Sequence, residues 1–225
     1  MTNIKNLSLL DAISQRRSVR GYKPDLVSQD VLDEIFSLAQ KSPSNCNVQP
    51  WRVLLASGGQ CNELRDKMKK AFMSGSAMNP DFSALPKFEG LMRNRQMECA
   101  HALYGAMGIE RGDRVGRMQA TARNYEFFNA PHIAFICMDK SFSPAIAVDV
   151  GMYAQTLMLL LTAYGIGSCA QASVAYYPDL VREYFDEPDN SGILFGISFG
   201  YEDVDVKAND ARTSRASLDE VIKTV

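Results

Sequence analysis

Two long apolar segments in the second half of the chain constrain its fold most. Residues 132–138 read His-Ile-Ala-Phe-Ile-Cys-Met, an unbroken run that is typical of a strand buried on both faces. Residues 145–164 are nearly all apolar and predict a helix of about 30 Å at 1.5 Å per residue. Asp149 and Gln155 interrupt this helix and the sequence holds no second such segment, which favours an interior helix over a membrane span.

The other hydrophobic patterns predict helices and strands in irregular alternation. Helices are expected at 7–15, 29–41, 60–72, 88–104, 115–128 and 178–185, strands at 52–57 and 193–201, and a short strand or loop at 168–174. Ser42-Pro43 ends the second helix, because the residue before a proline avoids the helical region. Buried strands beside long helices predict an α+β fold, a mixed central sheet flanked by helices on both faces.

Length and composition favour one domain. The 225 residues are 46% hydrophobic, enough for one sizeable core. We expect a single domain over 1–225, with a helical excursion at about 73–130 and an extended polar tail at about 202–225. The excursion is rich in methionine, a residue that more often serves adaptable packing than cofactor binding.

Charge and cysteine usage exclude several classes of protein. The formal net charge is -2, from 24 basic and 26 acidic residues, so no nucleic-acid or membrane partner is indicated. Residues 1–11 lack the apolar run of a signal peptide. Five scattered cysteines without C-x-x-C, and only two histidines, predict no disulfide framework and no metal site. The cytoplasm is therefore the expected compartment.

The cluster Arg16-Arg17-Ser18-Val19-Arg20 is the most distinctive polar feature. Guanidinium forks donate paired hydrogen bonds to phosphate, whereas the plain alternative is a solvated charge cluster at a helix end. Because the whole chain is nearly neutral, the cluster indicates a local anion and not a polyanion. Two further polar groupings are unexplained by a core: the loop at 43–51, which reads Pro-Ser-Asn-Cys-Asn-Val-Gln-Pro-Trp, and a tail with Lys207, Arg212 and Arg215.

The remaining motifs give little evidence of function. Gly165-Ile166-Gly167-Ser168-Cys169-Ala170 fits G-x-G-x-x-A, but it follows a helix instead of linking a strand to a helix, so a helix stop is favoured. A Ser-His-Asp or Cys-His device would need His101 or His132, each in apolar surroundings. His132 is better interpreted as a packed strand residue.

The polar motifs together resemble the FMN-dependent nitroreductase family. The resemblance is carried by R-R-S-V-R before a helix, P-S-x-x-N-x-Q-P-W after it, and the basic tail. It extends to 123–131 (Arg-Asn-Tyr-Glu-Phe-Phe-Asn-Ala-Pro) and to 169–173 (Cys-Ala-Gln-Ala-Ser), and it covers the chain from about Ser8 to Val221.

The resemblance implies a set of flavin ligands. Arg16, Arg17 and Ser18 would contact the ribityl phosphate or chain, and Arg20 would lie near flavin N1 and O2, where positive charge favours reduction. The implied second phosphate set is Arg212 and Arg215. The loop residues Pro43, Ser44, Asn45 and Asn47 would contact flavin bound mainly to a second subunit. The segment Ala170, Gln171, Ala172 and Ser173 would present a main-chain N–H to flavin N5.

The resemblance also implies an architecture and an activity. We expect a nitroreductase-like three-layer sandwich with a domain-swapped tail, assembled as a homodimer with one FMN at each of two interface sites. Hydride would pass from NAD(P)H through flavin N5 to nitroaromatics, quinones or similar acceptors in a ping-pong cycle, with no catalytic side chain. Residues 75–112 would wall the acceptor pocket. Some members of the family place a cation before the second strand. Here Glu126 occupies that position, and Arg123 is expected to supply the positive charge instead.

Several alternatives stay open on the sequence. The chain could be a same-fold flavoenzyme with other chemistry, such as reductive dehalogenation or flavin breakdown, or a non-enzymatic flavin-binding redox sensor. Cys46 lies within the flavin loop, either with a thiol role or as a bystander. No motif separates NADH from NADPH, and none identifies the physiological acceptor.

Overall fold

The structure is a computed structural model that describes residues 7–83 and 86–225. The first six residues of the segment tested for a signal peptide lie outside this part. The helices are α1 Leu9–Gln15, α2 Gln29–Ala39, α3 Gly58–Met73, α4 Gly90–Ala106, α5 Arg114–Tyr125, α6 Ile146–Ala163, α7 Pro178–Phe185 and α8 Leu218–Val221. The strands are β1 Arg52–Ser57, β2 His132–Asp139, β3 Gly167–Gln171 and β4 Ser191–Gly200.

The four strands form one sheet in the order β1-β2-β4-β3. All three strand pairs are antiparallel, and β2 pairs with β1 on one side and β4 on the other. A parallel contact occurs as an isolated bridge between Ser18 and Ser168, so the described sheet is less mixed than the sequence suggested. The bridge adds the segment after α1 to the edge of the sheet at β3.

Helices cover both faces of this sheet, which confirms the predicted α+β arrangement. On one face α2 and α6 pack on the strands through Ile35, Leu157 and Phe199. On the other, α3, α5 and α7 enclose a second cluster around Leu64 and Phe135. Every residue of β2 except its last is buried, as its unbroken apolar run predicts.

Helix α6 is the longest apolar element. By length and composition alone it is the one helix, within the described residues, that could cross a membrane. Tyr153, Leu157 and Leu161 are instead buried in the core, although only a third of the helix is buried in the single chain. The rest of its surface is therefore available for further packing.

The predicted start of the third helix was wrong. It was expected at residue 60, but α3 begins at Gly58, which adopts the required φ of +56°. The methionines in and just before the excursion differ in burial. Met68 is buried in the core, whereas Met73, Met78 and Met92 are more than half exposed.

Candidate functional site

The segment 16–20 is held beside the beginning of β3. Val19 N donates to Ser168 O at 3.0 Å, within the parallel bridge that joins Ser18 to Ser168. Gly167 permits this approach, since a Cβ there would lie 2.8 Å from Cγ2 of Val19. The arginines are therefore carried on a backbone fixed to the sheet and not on a loose helix end.

Tyr22 fastens the same segment to β4. Its phenol oxygen lies 2.6 Å from Val19 O and 3.0 Å from Ser198 O, and the ring is buried. Burial raises the pKa of this phenol well above its usual value, so it remains a neutral donor at physiological pH. The turn after the arginine cluster is thus held by a buried side chain.

A cavity of about 1090 Å³ opens beside this segment. Its lining draws on residues 13–20, on the turn between α6 and β3, and on the tail at 211–215. The predicted site residues found in the lining are Arg16, Arg17, Ser18, Arg20, Arg212 and Arg215. The structure therefore brings arginines from both ends of the chain to one cavity.

The arginines differ in how far their charge is already balanced. Arg17 forms an ion pair with Glu202, a residue that also lines the cavity. Within the described residues, no carboxylate pairs with Arg16, Arg212 or Arg215. Arg212 and Arg215 donate instead to nearby neutral oxygens of the tail. Arg20 also lines the cavity without a carboxylate partner among the described residues, so four cations face it without an acidic partner, and a bound anion would supply one.

Asn209 connects the two arginine groups, and sequence reasoning did not identify it. Its side-chain oxygen accepts from Arg20 N at 2.6 Å, while its amide nitrogen donates to Gly21 O and Asp203 O at 2.9 and 2.8 Å. Its main-chain oxygen accepts from Arg17 at 3.2 Å and from Arg212 at 2.6 Å. This buried amide therefore ties the tail to the arginine cluster.

A further cation lies next to Arg20. The Arg123 guanidinium donates to Arg20 O and lies over the ring of Phe128, 5.8 Å from its centroid. Burial lowers the pKa of Arg123, and Glu126 partly offsets this shift. Glu126 is itself paired with Lys69 at 2.6 Å, so Arg123 supplies the positive charge at this point.

The loop at 43–49 does not line this cavity. Pro43, Asn45 and Asn47 are exposed and Ser44 is half-buried. Trp51, which follows the loop, is buried against Tyr153 with ring centroids 4.9 Å apart. A single chain therefore leaves the polar side chains of this loop facing outward.

The segment at 170–173 comprises the last two residues of β3 and the two residues after it. Ala170 and Ala172 are exposed, Ser173 is half-buried, and Gln171 is buried. The Gln171 amide donates to Asn124 O at 2.8 Å and accepts from the Ser198 hydroxyl. Within the described residues, Ala172 N donates to no protein oxygen, so it can donate to a ligand.

Two cysteines lie beside the arginines: Cys99 is exposed and lines the cavity, whereas Cys169 is buried and burial raises the pKa of its thiol. His132 is buried, with Val27 N donating to its Nε2 at 3.0 Å, and burial lowers its pKa to about 4. Burial raises the pKa of Cys61 to about 11 and of Cys137 to about 12, which keeps both as thiols. Cys46 is exposed on the loop at 43–49 and does not line the cavity.

Comparisons with known proteins converge on one family. The sequence model of the nitroreductase family matches residues 13–201. The chain is 38% identical over 216 residues to the nitroreductase NfnB of Mycolicibacterium smegmatis, covering 94% of this chain and 90% of that protein. It is 31% identical over 218 residues to a 4-nitrobenzoate reductase of a Nocardioides species, covering 95% and 88%.

Solved structures agree with this result. The crystal structure of the FMN-dependent nitroreductase NfnB from Mycobacterium smegmatis in complex with NADPH superimposes with a TM-score of 0.91 at 35% identity, covering 97% of this chain and all of that one. The FMN- and NADPH-dependent nitroreductase NfnB of a Sphingopyxis strain gives 0.93 at 31% identity, with 97% and 99% covered. The predicted fold is thereby confirmed over nearly the whole chain.

Proposed function

The chain belongs to the nitroreductase family, and we propose that it is an FMN-dependent oxidoreductase that moves hydride from NAD(P)H to nitroaromatic, quinone or similar acceptors. Bound FMN supplies N5, which accepts and passes on the hydride, so nicotinamide and acceptor use the site in turn. The naming of related proteins as nitroreductases and 4-nitrobenzoate reductases supports this activity. The FMN and NADPH of the related structures support the cofactor and the donor.

The convergence of two arginine groups on one cavity carries this proposal. Arg16, Arg212 and Arg215 line it without a carboxylate partner among the described residues, and the Ser18 hydroxyl lies beside them. A phosphomonoester offers three oxygens that suit guanidinium forks and a hydroxyl donor. The donor set thus fits the flavin phosphate, with Arg17 playing a smaller part because Glu202 already balances its charge.

Arg20 and Arg123 would provide the charge beside the flavin ring. Arg123 donates to the main-chain oxygen of Arg20, and burial and the charge of Arg20 both lower the pKa of Arg123, so the two cations lie near one another. Positive charge at the pyrimidine edge makes electron uptake more favourable, and the free N–H of Ala172 would orient the ring at N5. The residues thereby bind, orient and polarise, and none needs to act as acid or base.

Exposed apolar side chains of the single chain support the proposed homodimer. The exposed fractions are 78% for Leu10 on α1, 64% for Val148 on α6 and 74% for Leu218 on α8. Patches of this kind mark association surfaces. In the proposed dimer the outward-facing loop of Pro43, Ser44, Asn45 and Asn47 contacts FMN held mainly by the second subunit, and the tail at 202–225 is exchanged.

Residues 75–112, within the excursion at 73–130 of a single domain, are proposed to wall the acceptor pocket. Helix α4 contains no fully buried residue and exposes Leu91 and Met92 to 56% and 65%. Apolar side chains presented on an outlying helix suit flat aromatic acceptors. The five free thiols support a cytoplasmic location.

Flavin binding is the first test. Purified protein should be yellow, and Arg16→Ala combined with Arg215→Ala should lose FMN while remaining folded by circular dichroism. Lys67→Ala with Lys70→Ala removes the same charge from the exposed side of α3 and should keep FMN. Stoichiometric FMN in the arginine variant would contradict the phosphate assignment.

Turnover and assembly are tested separately. Rapid oxidation of NADH or NADPH with a nitroaromatic acceptor supports the proposed reaction, whereas bound flavin that neither nicotinamide reduces favours a redox sensor. Light scattering should give twice the chain mass for the wild type and one chain mass for Leu10→Glu with Val148→Glu. A monomeric wild type that retains FMN would overturn the dimer.

A further inference from the structure

The loop at 44–49 has an unusual backbone. Cys46, Asn47 and Gln49 have positive φ values of 49°, 56° and 48°, and none is glycine. L-residues with side chains adopt this left-handed region at an energetic cost, and it persists only where surrounding contacts enforce it. Two main-chain bonds within the loop, Asn47 N to Ser44 O at 3.0 Å and Val48 N to Asn45 O at 3.1 Å, support this shape, and a contact from outside the loop joins it to the core.

Asp149 makes the contact that anchors this loop to the core. Its carboxylate Oδ2 accepts a hydrogen bond from Asn45 N at 3.1 Å, and the residue is only 6% exposed. Asp149 lies in the first turn of α6, where the helix dipole favours a negative charge. A second bond, from Gln49 N to Ser44 Oγ at 2.9 Å, closes the loop on itself but does not tie it to the core.

Helix α6 is well suited to act as the fixed support. Val150 and Tyr153, which flank Asp149 along the helix, are buried in the core. The same helix presents Gln155 to the large cavity. One rigid element therefore carries both the anchor of the polar loop and part of the cavity wall.

We propose that Asp149 is a positioning residue for the flavin site: its carboxylate holds the Asn45 amide and thereby presents Ser44, Asn45 and Asn47 to the cofactor. This inference rests on the proposed FMN dependence. It assigns a function to the one buried carboxylate of α6, which the sequence analysis treated only as an interruption of an apolar helix. Asp149 does not itself touch the substrate or the cofactor in this proposal.

The test combines loop dynamics with flavin affinity in the full-length protein. Asp149→Ala should speed hydrogen–deuterium exchange in peptides covering residues 43–50 and weaken FMN binding about tenfold, because hydrogen bonds to charged groups are among the stronger ones. Asp149→Asn keeps an oxygen acceptor at the same place and should restore both properties to within about threefold.

Asp139→Ala is the matched control. Asp139 also accepts a main-chain hydrogen bond, from Ser141 N at 2.8 Å, but it lies at the far end of β2 and lines no described cavity. Its removal should leave exchange at 43–50 and FMN affinity unchanged. The absorbance spectrum of bound flavin provides a further readout that a general loss of stability does not shift.

Each outcome of these experiments either supports or overturns the positioning role of Asp149. Unchanged loop exchange and flavin affinity in Asp149→Ala would overturn the proposal, and so would a loosened loop with wild-type affinity. If Asp149→Ala does not fold, Asp149→Asn provides the test. Loss of FMN while the loop stays protected from exchange would refute the positioning role of Asp149. Retention of both FMN and loop protection would support it. A wild type that binds no FMN defeats the proposed function, yet the exchange data still report whether Asp149 holds the loop.

Discussion

The arginine cavity and the loop at 43–49 are two halves of one proposed site, built in opposite ways. The cavity is assembled within a single chain: Asn209 and Tyr22 are buried, and they join its segments to each other and to the sheet. The loop is exposed, has a strained backbone, and is tied to the core through Asp149.

The difference shows which half a lone chain can complete. Buried hydrogen bonds fix the cationic half before any ligand arrives, so its charges are preorganised. The loop presents polar side chains to solvent, beside apolar surfaces on α1 and α6 that the chain does not cover. Its proposed role depends on association with a second subunit, which makes the two halves separable by experiment.

Asn209→Leu should have the largest effect. The substitution leaves Arg20 N without its partner and removes one of two donors to each of the carbonyl oxygens of Gly21 and Asp203, which should cost about 3 kcal/mol in the free energy of unfolding and abolish tight FMN binding. Denaturant unfolding and flavin titration measure both. Asn190→Leu, at an exposed site, should change the free energy of unfolding by less than about 0.5 kcal/mol.

Acidification should weaken the scaffold that supports both halves. The pKa of His132 is about 4 when folded, below its usual value of 6.5. The unfolded chain therefore takes up the proton first, and stability is lost as pH falls from about 6.5 towards 4, by roughly 2 kcal/mol at pH 5. Unfolding of His132→Gln should show less of this pH dependence, and that of His101→Gln, an exposed control, should keep it.

Substitutions of Arg16 and Arg17, which both line the arginine cavity, should differ in their effect on FMN affinity. Arg16→Ala should weaken FMN binding by about tenfold to a hundredfold, because it removes an unbalanced charge-assisted donor. Arg17→Ala should weaken binding less and lower stability by about 1 kcal/mol through loss of the Glu202 ion pair. Equal losses of affinity in the two variants would show that Glu202 does not compete with the ligand.

Substitutions in the loop should cause the smallest change in the free energy of unfolding of the isolated chain. Ser44→Ala with Asn47→Ala should leave the free energy of unfolding within about 0.5 kcal/mol, since both side chains are at least partly exposed. FMN affinity in the wild-type dimer background should fall a few-fold, by titration. In the Leu10→Glu, Val148→Glu background the same pair should add no further loss, and an additive loss would place the loop beside flavin of its own chain.

Much of the framework could be read from the residues. The unbroken apolar run of β2 and the long apolar α6 predicted the layered α+β core, because burial follows from hydrophobic pattern. The start of α3 was missed because a Gly-Gly pair usually signals a turn. Here Gly58 adopts a positive φ and donates its main-chain N–H to Pro131 O at 2.9 Å, a contact that the sequence does not reveal.

The site residues also divide into those that sequence motifs reveal and those that they do not. The arginine and Pro-Ser-Asn motifs were visible because their residue types and spacing carry the resemblance. Asn209, Glu202 and Asp149 carried no such signal, because each acts through a partner more than 100 residues away. A single Asn or Asp in a polar tail or an apolar helix has no local pattern that reveals its partner.

The sequence by itself determined the α+β class, the buried strand, and the presence of clustered guanidinium groups suited to phosphate. These properties follow from side-chain chemistry and from periodicity along the chain. The tertiary structure decided which arginine is already neutralised, which amide joins the two ends of the chain, and which carboxylate holds the strained loop. Such properties depend on distances between residues far apart in sequence, and only the folded chain sets those distances.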